Sequence, residues 1–345
     1  MGLLLIGSPR FQEHTTPPGH PERPERAEVF DRIAAAWRDR GGRIVEPRAA
    51  TREELRRVHT AAYLDAIKAT DGRAAMLDPD TFTSPESYGI ALLAAGAVVQ
   101  AVEHALDTRE TGFALVRPPG HHAERDRAMG FCLFNNVAVA AAAAIARGLS
   151  RVAVVDIDVH HGNGTQWMFY DDPRVLYVST HQFPFYPGTG AAPETGTGKG
   201  EGYTFNIPLD AGATDADYAT AYLAIANVLE RFGPELLLIS AGYDAHADDP
   251  LASMRISTAG YAAVIGILRA SAARSRCPIA LATEGGYDLD ALRACIEATL
   301  AVLDGDLPSE SDLPPEGGNY KSEAVRAARA LEAVRAVQPR WRDII

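Results

Sequence analysis

The chain has 345 residues, 47% of them hydrophobic and 23% charged, the balance of a globular protein with ample material for a core. Its net charge of −12 argues against direct nucleic-acid binding, because phosphate contacts need clustered Lys and Arg, and it suits the approach of cationic partners. Three cysteines, Cys132, Cys277 and Cys295, fit neither a disulfide framework nor a C-x-x-C metal knuckle, which makes the cytoplasm the default compartment.

Leu3-Leu4-Leu5-Ile6 opens the run of predicted elements. It lacks a basic leader and a cleavage site and is cut off at Pro9, so it predicts a strand and not a signal peptide. Apolar spacing of 3.6 residues predicts helices over 25–40 and 85–106. A strand over 113–116 and an alanine-rich helix over 136–147 follow. The apolar stretch 137–146 within that helix is the longest candidate and falls short of the roughly 18–20 residues needed to span a bilayer. It reads as a buried helix, and no membrane partner is expected. Strands over 152–156 and 175–179, a helix over 216–231, a strand over 236–240, a helix over 258–273, a strand over 279–283 and a helix over 288–303 continue the alternation. A linker rich in Pro, Gly, Ser and acids covers 305–319, and an amphipathic helix over 322–336 comes after it. Alternating β and α elements imply an α/β fold, a central and mostly parallel sheet flanked by helices on both faces. One domain over 1–304, with 305–345 as a linker and helical extension packed on it, is the most economical organisation.

In open parallel sheets, ligands bind outside the carboxyl ends of the strands. The segments at those ends are therefore informative. Strand 113–116 runs into Arg117-Pro118-Pro119-Gly120-His121-His122, and strand 152–156 into Asp156-Ile157-Asp158-Val159-His160-His161-Gly162-Asn163-Gly164. Strand 175–179 leads to His181 and Phe183-Pro184-Phe185-Tyr186-Pro187-Gly188. The last two lead to Gly242-Tyr243-Asp244-Ala245-His246 and Glu284-Gly285-Gly286-Tyr287-Asp288. Five strands deliver histidines, carboxylates, aromatics and glycine turns to one edge, which marks it as an active-site rim.

Asp158 and His160 alternate at a strand end, so both side chains point to one face of the extended backbone. With Asp244 they form a candidate metal set, although Asp158 and His160 alone could simply hydrogen-bond loop backbone. Three protein ligands leave positions open for water and substrate, the pattern of a catalytic zinc site; Fe(II) suits the same donors. Adjacent histidines are commonly a polar loop, but beside a metal His121 and His122 become general acid–base candidates. Asp156 and Asn163, flanking the ligands, are candidates to fix their tautomers. Tyr287 follows two glycines that allow close backbone approach, so its phenol could donate to a developing oxyanion. The stretch Gly196-Thr197-Gly198-Lys199-Gly200 looks like a phosphate loop, but Gly200 stands where Ser or Thr is needed, so it reads as a surface loop.

These residues resemble those of the histone deacetylase superfamily, which includes acetylpolyamine amidohydrolases and acetoin-utilisation proteins on the arginase–deacetylase fold. The resemblance runs through His20-Pro21-Glu22-Arg23-Pro24 and the segments 117–123, 130–136, 156–166, 240–250 and 284–288, over about residues 14 to 300. His160-His161-Gly162-Asn163-Gly164-Thr165-Gln166 is similar to the class II and bacterial branches. The resemblance implies a deacetylase catalytic domain over 1–304, with Asp158, His160 and Asp244 as ligands of one zinc. It implies His122 as general base and acid, His121 with Asp156 as its electrostatic partner, and Tyr287 as the oxyanion donor. Phe131 and Tyr186 match aromatic walls of a lysine tunnel, and the Gly130 carbonyl an acceptor for the substrate amide N–H. Two structural potassium sites are implied, one of Asp156, Asp158, His160, Ser179 and Thr180, the other of Phe169, Asp172, Val175 and Tyr203. Some relatives carry aspartate where Asn163 stands, and a neutral amide would stabilise a His122 imidazolium less. Leu251, after Asp248-Asp249-Pro250, occupies the place where polyamine-selective relatives carry a glutamate gatekeeper and protein deacetylases commonly carry leucine.

The expected partner is an acylated lysine or another acylated amine, with room for a homo-oligomer. Two alternatives stand beside a deacetylase: an arginase-like ureohydrolase with two metal ions, using Asp244-Ala245-His246-Ala247-Asp248, and a binding module without turnover. A binding module would be expected to have lost a ligand or the tyrosine, and none is missing.

Overall fold

The computed structural model describes residues 2–305 and 324–345. Its strands, in chain order, are β1 (Leu3–Ile6), β2 (Arg43–Val45), β3 (Ala75–Asp78), β4 (Thr81–Thr83), β5 (Thr111–Ala114), β6 (Val152–Asp156), β7 (Val175–Gln182), β8 (Thr204–Leu209), β9 (Leu236–Ala241) and β10 (Ile279–Thr283). Eight of them form one parallel sheet in the order β2-β1-β5-β10-β9-β6-β7-β8, while β3 and β4 pair as a separate hairpin. The expected α/β fold is therefore present, with its main sheet wholly parallel.

The larger helices are α1 (Glu25–Asp39), α4 (Ser87–Thr108), α5 (Asn136–Ala146), α7 (Asp215–Phe232), α8 (Thr258–Ser275) and α9 (Leu289–Asp304); the short ones are α2 (Arg52–Arg56), α3 (Ala61–Lys68) and α6 (Asn163–Met168). They cover both faces of the sheet. Val152 and Val154 of β6 point into a core shared with α4 and α5, while Ala153 and Val155 point into one shared with α1, α7, α8 and α9. Burial on both faces explains why these strands read as continuous apolar runs instead of alternating ones.

Four strands have no counterpart among the predicted elements: β3 and β4 of the hairpin, and in the main sheet β2 and β8, the last two for different reasons. β2 is three residues long and largely exposed, so it has no apolar run to find. β8 carries Asn206 and Pro208, and proline argues against a central strand; it is in fact the outermost strand, beside β7. A C-terminal helix, Val325–Val337, packs on α7 and β8. In its first turn, the N–H groups of Arg326 and Ala327 donate to Asp217 Oδ1 at 3.0 and 2.9 Å. Gln338 and Trp341 donate to the carbonyls of Thr204 and Gly202. The linker expected over 305–319 lies outside the described residues beyond Gly305, as does the start of the helix expected at 322.

The longest apolar candidate among the described residues is α4 and not 137–146: α4 is long and apolar enough to cross a membrane by length and composition, although Gln100 and Glu103 break its apolar run. Its Ala94, Val98, Val99 and Val102 are fully buried against the sheet and α5, which makes it a core helix.

Glu22 locks the loop before α1 to the sheet. Its Oε1 accepts from Arg117 Nε at 2.7 Å and Arg26 Nη1 at 3.0 Å, and its Oε2 from Arg117 Nη2 at 2.7 Å. All three residues are fully buried. Burial opposes ionisation of the Glu22 carboxyl, but Arg117, His14 and Arg26 hold it well below the usual range. Removing one partner of a buried ionic cluster leaves the others uncompensated. Glu22→Gln is therefore expected to lower the unfolding free energy by about 3–5 kcal/mol, read as a fall in the urea midpoint at unchanged m-value; a loss within about 1 kcal/mol, the scale of an exposed ion pair, would show that the two arginines need no counter-charge.

Candidate metal centre and active site

The strand order places the chemistry. β6 and β9 are neighbours, with Asp156 beside Ser240, and β9 and β10 are neighbours, with Thr283 beside Ala241. β10 also pairs with β5. The loops that leave these four carboxyl ends carry Asp158 and His160, Asp244, Tyr287, and the pair His121 and His122 to a single rim, as expected.

His160 Nδ1 lies 3.1 Å from Asp158 Oδ1 and 3.1 Å from Asp244 Oδ2. One ligand atom from each residue falls within 4.8 Å of the others, and this is the one such group among the described residues. The two carboxylates are held from behind. Asp158 Oδ2 accepts the N–H of Gly285 at 2.8 Å, Asp158 Oδ1 that of His160 at 2.8 Å, and Asp244 Oδ1 that of Val159 at 2.9 Å. Glycine is required around them. A Cβ on Gly242 would stand 2.0 Å from Asp158 Oδ2, and one on Gly285 2.1 Å from Asp244 Oδ2.

This donor set fits a divalent cation. Two carboxylates and an imidazole nitrogen converge in a buried place, three protein ligands in all, which leaves room for water and substrate. Burial alone would discharge the His160 ring, but the Asp158 and Asp244 carboxylates raise its pKa to about 10. The ring thus keeps a proton where the set calls for positive charge, and a metal must displace that proton. Burial works against both carboxylates as well. Asp158, facing His121 and His160, sits lower than Asp244, which faces Asp158.

The adjacent histidines are poised in opposite senses. His121 Nδ1 is 3.0 Å from Asp156 Oδ2. Burial disfavours its charge, yet Asp158 and Asp156 hold its pKa well above the ordinary imidazole value. His122 is pushed well below that value by burial and by His121 and His160. Its Nδ1 lies 2.7 Å from Asn163 Oδ1, and the Asn163 amide nitrogen donates to Glu124 Oε1 at 2.7 Å. The Glu124 carboxylate can only accept, so it turns the amide oxygen towards His122. His122 therefore carries its proton on Nδ1, and Nε2 keeps a lone pair.

The Tyr287 phenol is held well above its usual pKa by burial, with Arg26 pulling the other way, so it remains a donor. Arg26 stands 5.0 Å over its ring and donates to the carbonyls of Gly286 and Glu284. Phe131 meets Tyr287 edge-on at 5.8 Å between centroids, and Tyr186 meets His122 at 5.1 Å. Gly130, at φ +55°, lets the chain pass His122, for a Cβ there would lie 2.3 Å from His122 Cδ2. Phe131 itself has φ +69°, a costly conformation for a residue with a side chain, held by its N–H to Thr81 Oγ1 at 3.0 Å. Leu251 and Tyr287 share the wall of a cleft of about 790 Å³ with His20, Arg23, Glu25 and Glu28.

The residues expected to hold potassium are also located. Ser179 Oγ lies 2.9 Å from His181 Nδ1, and Thr180 Oγ1 2.8 Å from the Tyr222 hydroxyl. In the second set, Phe169 accepts the Asp172 N–H and Asp172 that of Val175, while the Tyr203 carbonyl accepts the N–H of Tyr177. The Asp172 carboxylate is taken by Arg174. The Gly196 segment forms a 3-10 turn at Gly198–Gly200. A second metal after Asp244 gains no geometric help, since His246 turns to Thr258 and the Asp248 side chain is 75% exposed.

Three residues that support His160 and the adjacent histidines had no role assigned from sequence. Phe185 stacks on His160, with centroids 5.4 Å apart and planes 20° from parallel. Glu124 orients Asn163. Glu284, fully buried, accepts the N–H groups of Gly120 at 2.6 Å and His121 at 3.2 Å and the Ser240 hydroxyl at 3.0 Å, so it holds the turn that carries the histidines. The signal available for Glu284 was an acid directly after an apolar strand.

Residues 20–303 match the model of the histone deacetylase domain. The chain is 41% identical over 294 residues to a probable deacetylase of Archaeoglobus fulgidus, covering 83% of this chain and 81% of that protein. It is 41% identical over 307 residues to histone deacetylase 15 of Arabidopsis thaliana, covering 86% of this chain and 54% of that protein, about half its length. The crystal structure of the HDA15 HD domain superposes with a TM-score of 0.89 at 36% identity, covering 99% of this chain and 96% of that one.

The donor geometry leads to a metal count that can be measured. One tightly bound divalent ion per chain is expected, and Asp244→Ala is expected to lose it, because two ligands cannot hold such a site. At a free-metal concentration about 100 times the Kd, binding should add about 2.7 kcal/mol to the unfolding free energy of the wild type and none to the variant. Elemental analysis giving two tight equivalents would instead favour a binuclear centre.

Proposed function

Since the chain belongs to the histone deacetylase family, we propose that it is a zinc-dependent hydrolase of acyl-lysine, chiefly acetyl-lysine in a peptide or protein. The observation that carries this reading is the opposite poise of His121 and His122 beside three converging ligand atoms. Asp158, His160 and Asp244 would hold the zinc, which supplies Lewis acidity for amide hydrolysis; Fe(II) is the alternative ion for these donors.

The chain's own residues supply the rest. His122 Nε2, free of its proton, takes one from the attacking water and returns it to the leaving amine. His121, kept charged by Asp156 and Asp158, supplies a fixed positive charge next to it. The Tyr287 phenol donates to the carbonyl oxygen as negative charge develops there. Phe131, Tyr186 and Phe185 flank the aliphatic stem of the lysine, and the Gly130 carbonyl accepts the substrate amide N–H. Potassium at Asp156, Asp158, His160, Ser179 and Thr180, and at Phe169, Asp172, Val175 and Tyr203, would serve structure and not turnover. Residues 1–304 would form the catalytic domain, with 305–345 as its extension. The three cysteines are free and buried, which suits a reducing compartment such as the cytoplasm.

A second reading, an acylated polyamine as substrate, is favoured by one observation. Glu25 and Glu28 line the same cleft as Leu251 and are exposed, so they could face a distant ammonium. They would equally face a basic residue beside an acyl-lysine, and Leu251 offers an aliphatic stem something to pack on while giving a second cation no partner. The peptide reading is therefore preferred.

Tyr287→Phe keeps the ring and deletes the hydroxyl. Turnover of an acetyl-lysine peptide is expected to fall by about 10²–10³, the usual effect of losing one oxyanion donor, with metal content unchanged. Near-native turnover would remove Tyr287 from the mechanism.

Substrate class is read by comparing kcat/KM for an acetyl-lysine peptide and N-acetylputrescine. The peptide should be preferred, and Leu251→Glu should shift selectivity toward the putrescine derivative by about 1–3 kcal/mol, the scale of a hydrogen bond to a charged group. A native preference for N-acetylputrescine would reverse the assignment.

A further inference from the structure

Tyr287 hangs on Glu284-Gly285-Gly286, and the two glycines contribute little conformational preference of their own. Gly286 has φ +119°, so this backbone needs restraints from outside. Arg26 binds the carbonyls of Glu284 and Gly286, which fixes the segment before the tyrosine. The restraint on Tyr287 itself comes from Asp249. Asp249 Oδ2 accepts the N–H of Tyr287 at 2.6 Å and that of Asp288 at 3.2 Å. Its other oxygen, Oδ1, accepts the N–H of Leu251 at 3.0 Å. The carboxylate is buried, at 6% exposure, and the backbone N–H of Asp249 is itself fixed to the His246 carbonyl at 3.0 Å. Asp288 then caps α9, accepting the Ala291 N–H at 2.8 Å.

We propose that Asp249 is a positioning residue: one carboxylate sets where Tyr287 stands and ties it to Leu251 at the mouth of the cleft. This rests on the deacetylase reading above. Only a carboxylate satisfies the arrangement, because both of its oxygens accept. Asparagine has the same shape but one accepting oxygen. Whichever way it turns, its NH₂ faces an N–H donor, and the link breaks either at Tyr287 and Asp288 or at Leu251. A residue that acts through Tyr287 must also lose its effect once the phenol is gone, because contacts that share one function do not add.

The test is a double-mutant cycle with Asp249→Asn and Tyr287→Phe in the metal-loaded full chain, using an acetyl-lysine peptide. With Tyr287 present, Asp249→Asn should lower kcat about tenfold or more, a part of what a lost oxyanion donor costs, at unchanged metal content. In the Tyr287→Phe background the same change should lower kcat by less than about threefold. Equal losses in both backgrounds, or native kcat in the single variant, overturn the proposal. Amide hydrogen exchange by mass spectrometry provides a readout free of turnover. At least one of the segments 249–251 and 285–290, the one that the amide NH₂ faces, should exchange faster in Asp249→Asn, and protection unchanged in both overturns the link. If the wild type hydrolyses no acylated amine, the functional reading has failed, and the exchange measurement alone decides on Asp249. If Asp249→Asn does not fold, Asp249→Glu takes its place. Failure of both to fold would assign the carboxylate to the fold and overturn a positioning role.

Discussion

Asp158 and Asp244 reach the same imidazole nitrogen from two neighbouring parallel strands, in a place where neither is exposed to water. Everything around the rim answers to that concentration of negative charge. Bare glycines at 242 and 285 give the carboxylates room, backbone N–H groups fix their orientation, and His121 and His160 hold protons that isolated buried rings would give up. Buried like charges are costly unless paired, so the arrangement is stable only with positive charge among the oxygens. A protonated His160 meets part of that need. A divalent ion held by the same three residues would meet more of it, so the local fold is suited to such an ion.

The same economy extends outward. Asp156, Glu284, Asp249 and Glu22 are further buried acids at this edge of the sheet, each committed to a different task. Asp156 holds His121, Glu284 holds the turn before the histidines, Asp249 holds Tyr287, and Glu22 holds two arginines, one of which supports the backbone beneath Tyr287. Acids are effective at this edge because loops leaving parallel strands present N–H groups that have no ladder partner, and a buried carboxylate can collect several at once.

Much of this was legible in the sequence. Strands β1, β6 and β10 begin and end where their apolar runs do, and the residues just past the carboxyl ends of the apolar runs already spell out the rim. The candidate metal set of Asp158, His160 and Asp244 stood out because chemistry demands particular side chains at particular spacings. Elements without such a demand were harder to see. β2 has no apolar run and β8 contains a proline, and both lie at the margins of the sheet where propensity is weak evidence. Asp249 and Glu284 were visible as acids but not as supports, because their partners are main-chain N–H groups, which nearly every residue carries. Phe185 was in view beside Tyr186, and only the fold distinguishes which of two neighbouring aromatic rings stacks on His160.

The C-terminal helix has a consequence away from the chemistry. A sheet of eight strands has two open margins, and each exposes backbone groups able to pair with another chain. On one side β2 is short, and Arg43 in it pairs with Glu110, so it presents a charged and limited template. On the other, β8 is six residues long and apolar except at Thr204 and Asn206, which would make it adhesive if bare. Gln338 and Trp341 dock on the carbonyls at its start while the helix lies over it. The last stretch of the chain thus covers part of that margin, which leaves less bare strand for another chain to pair with.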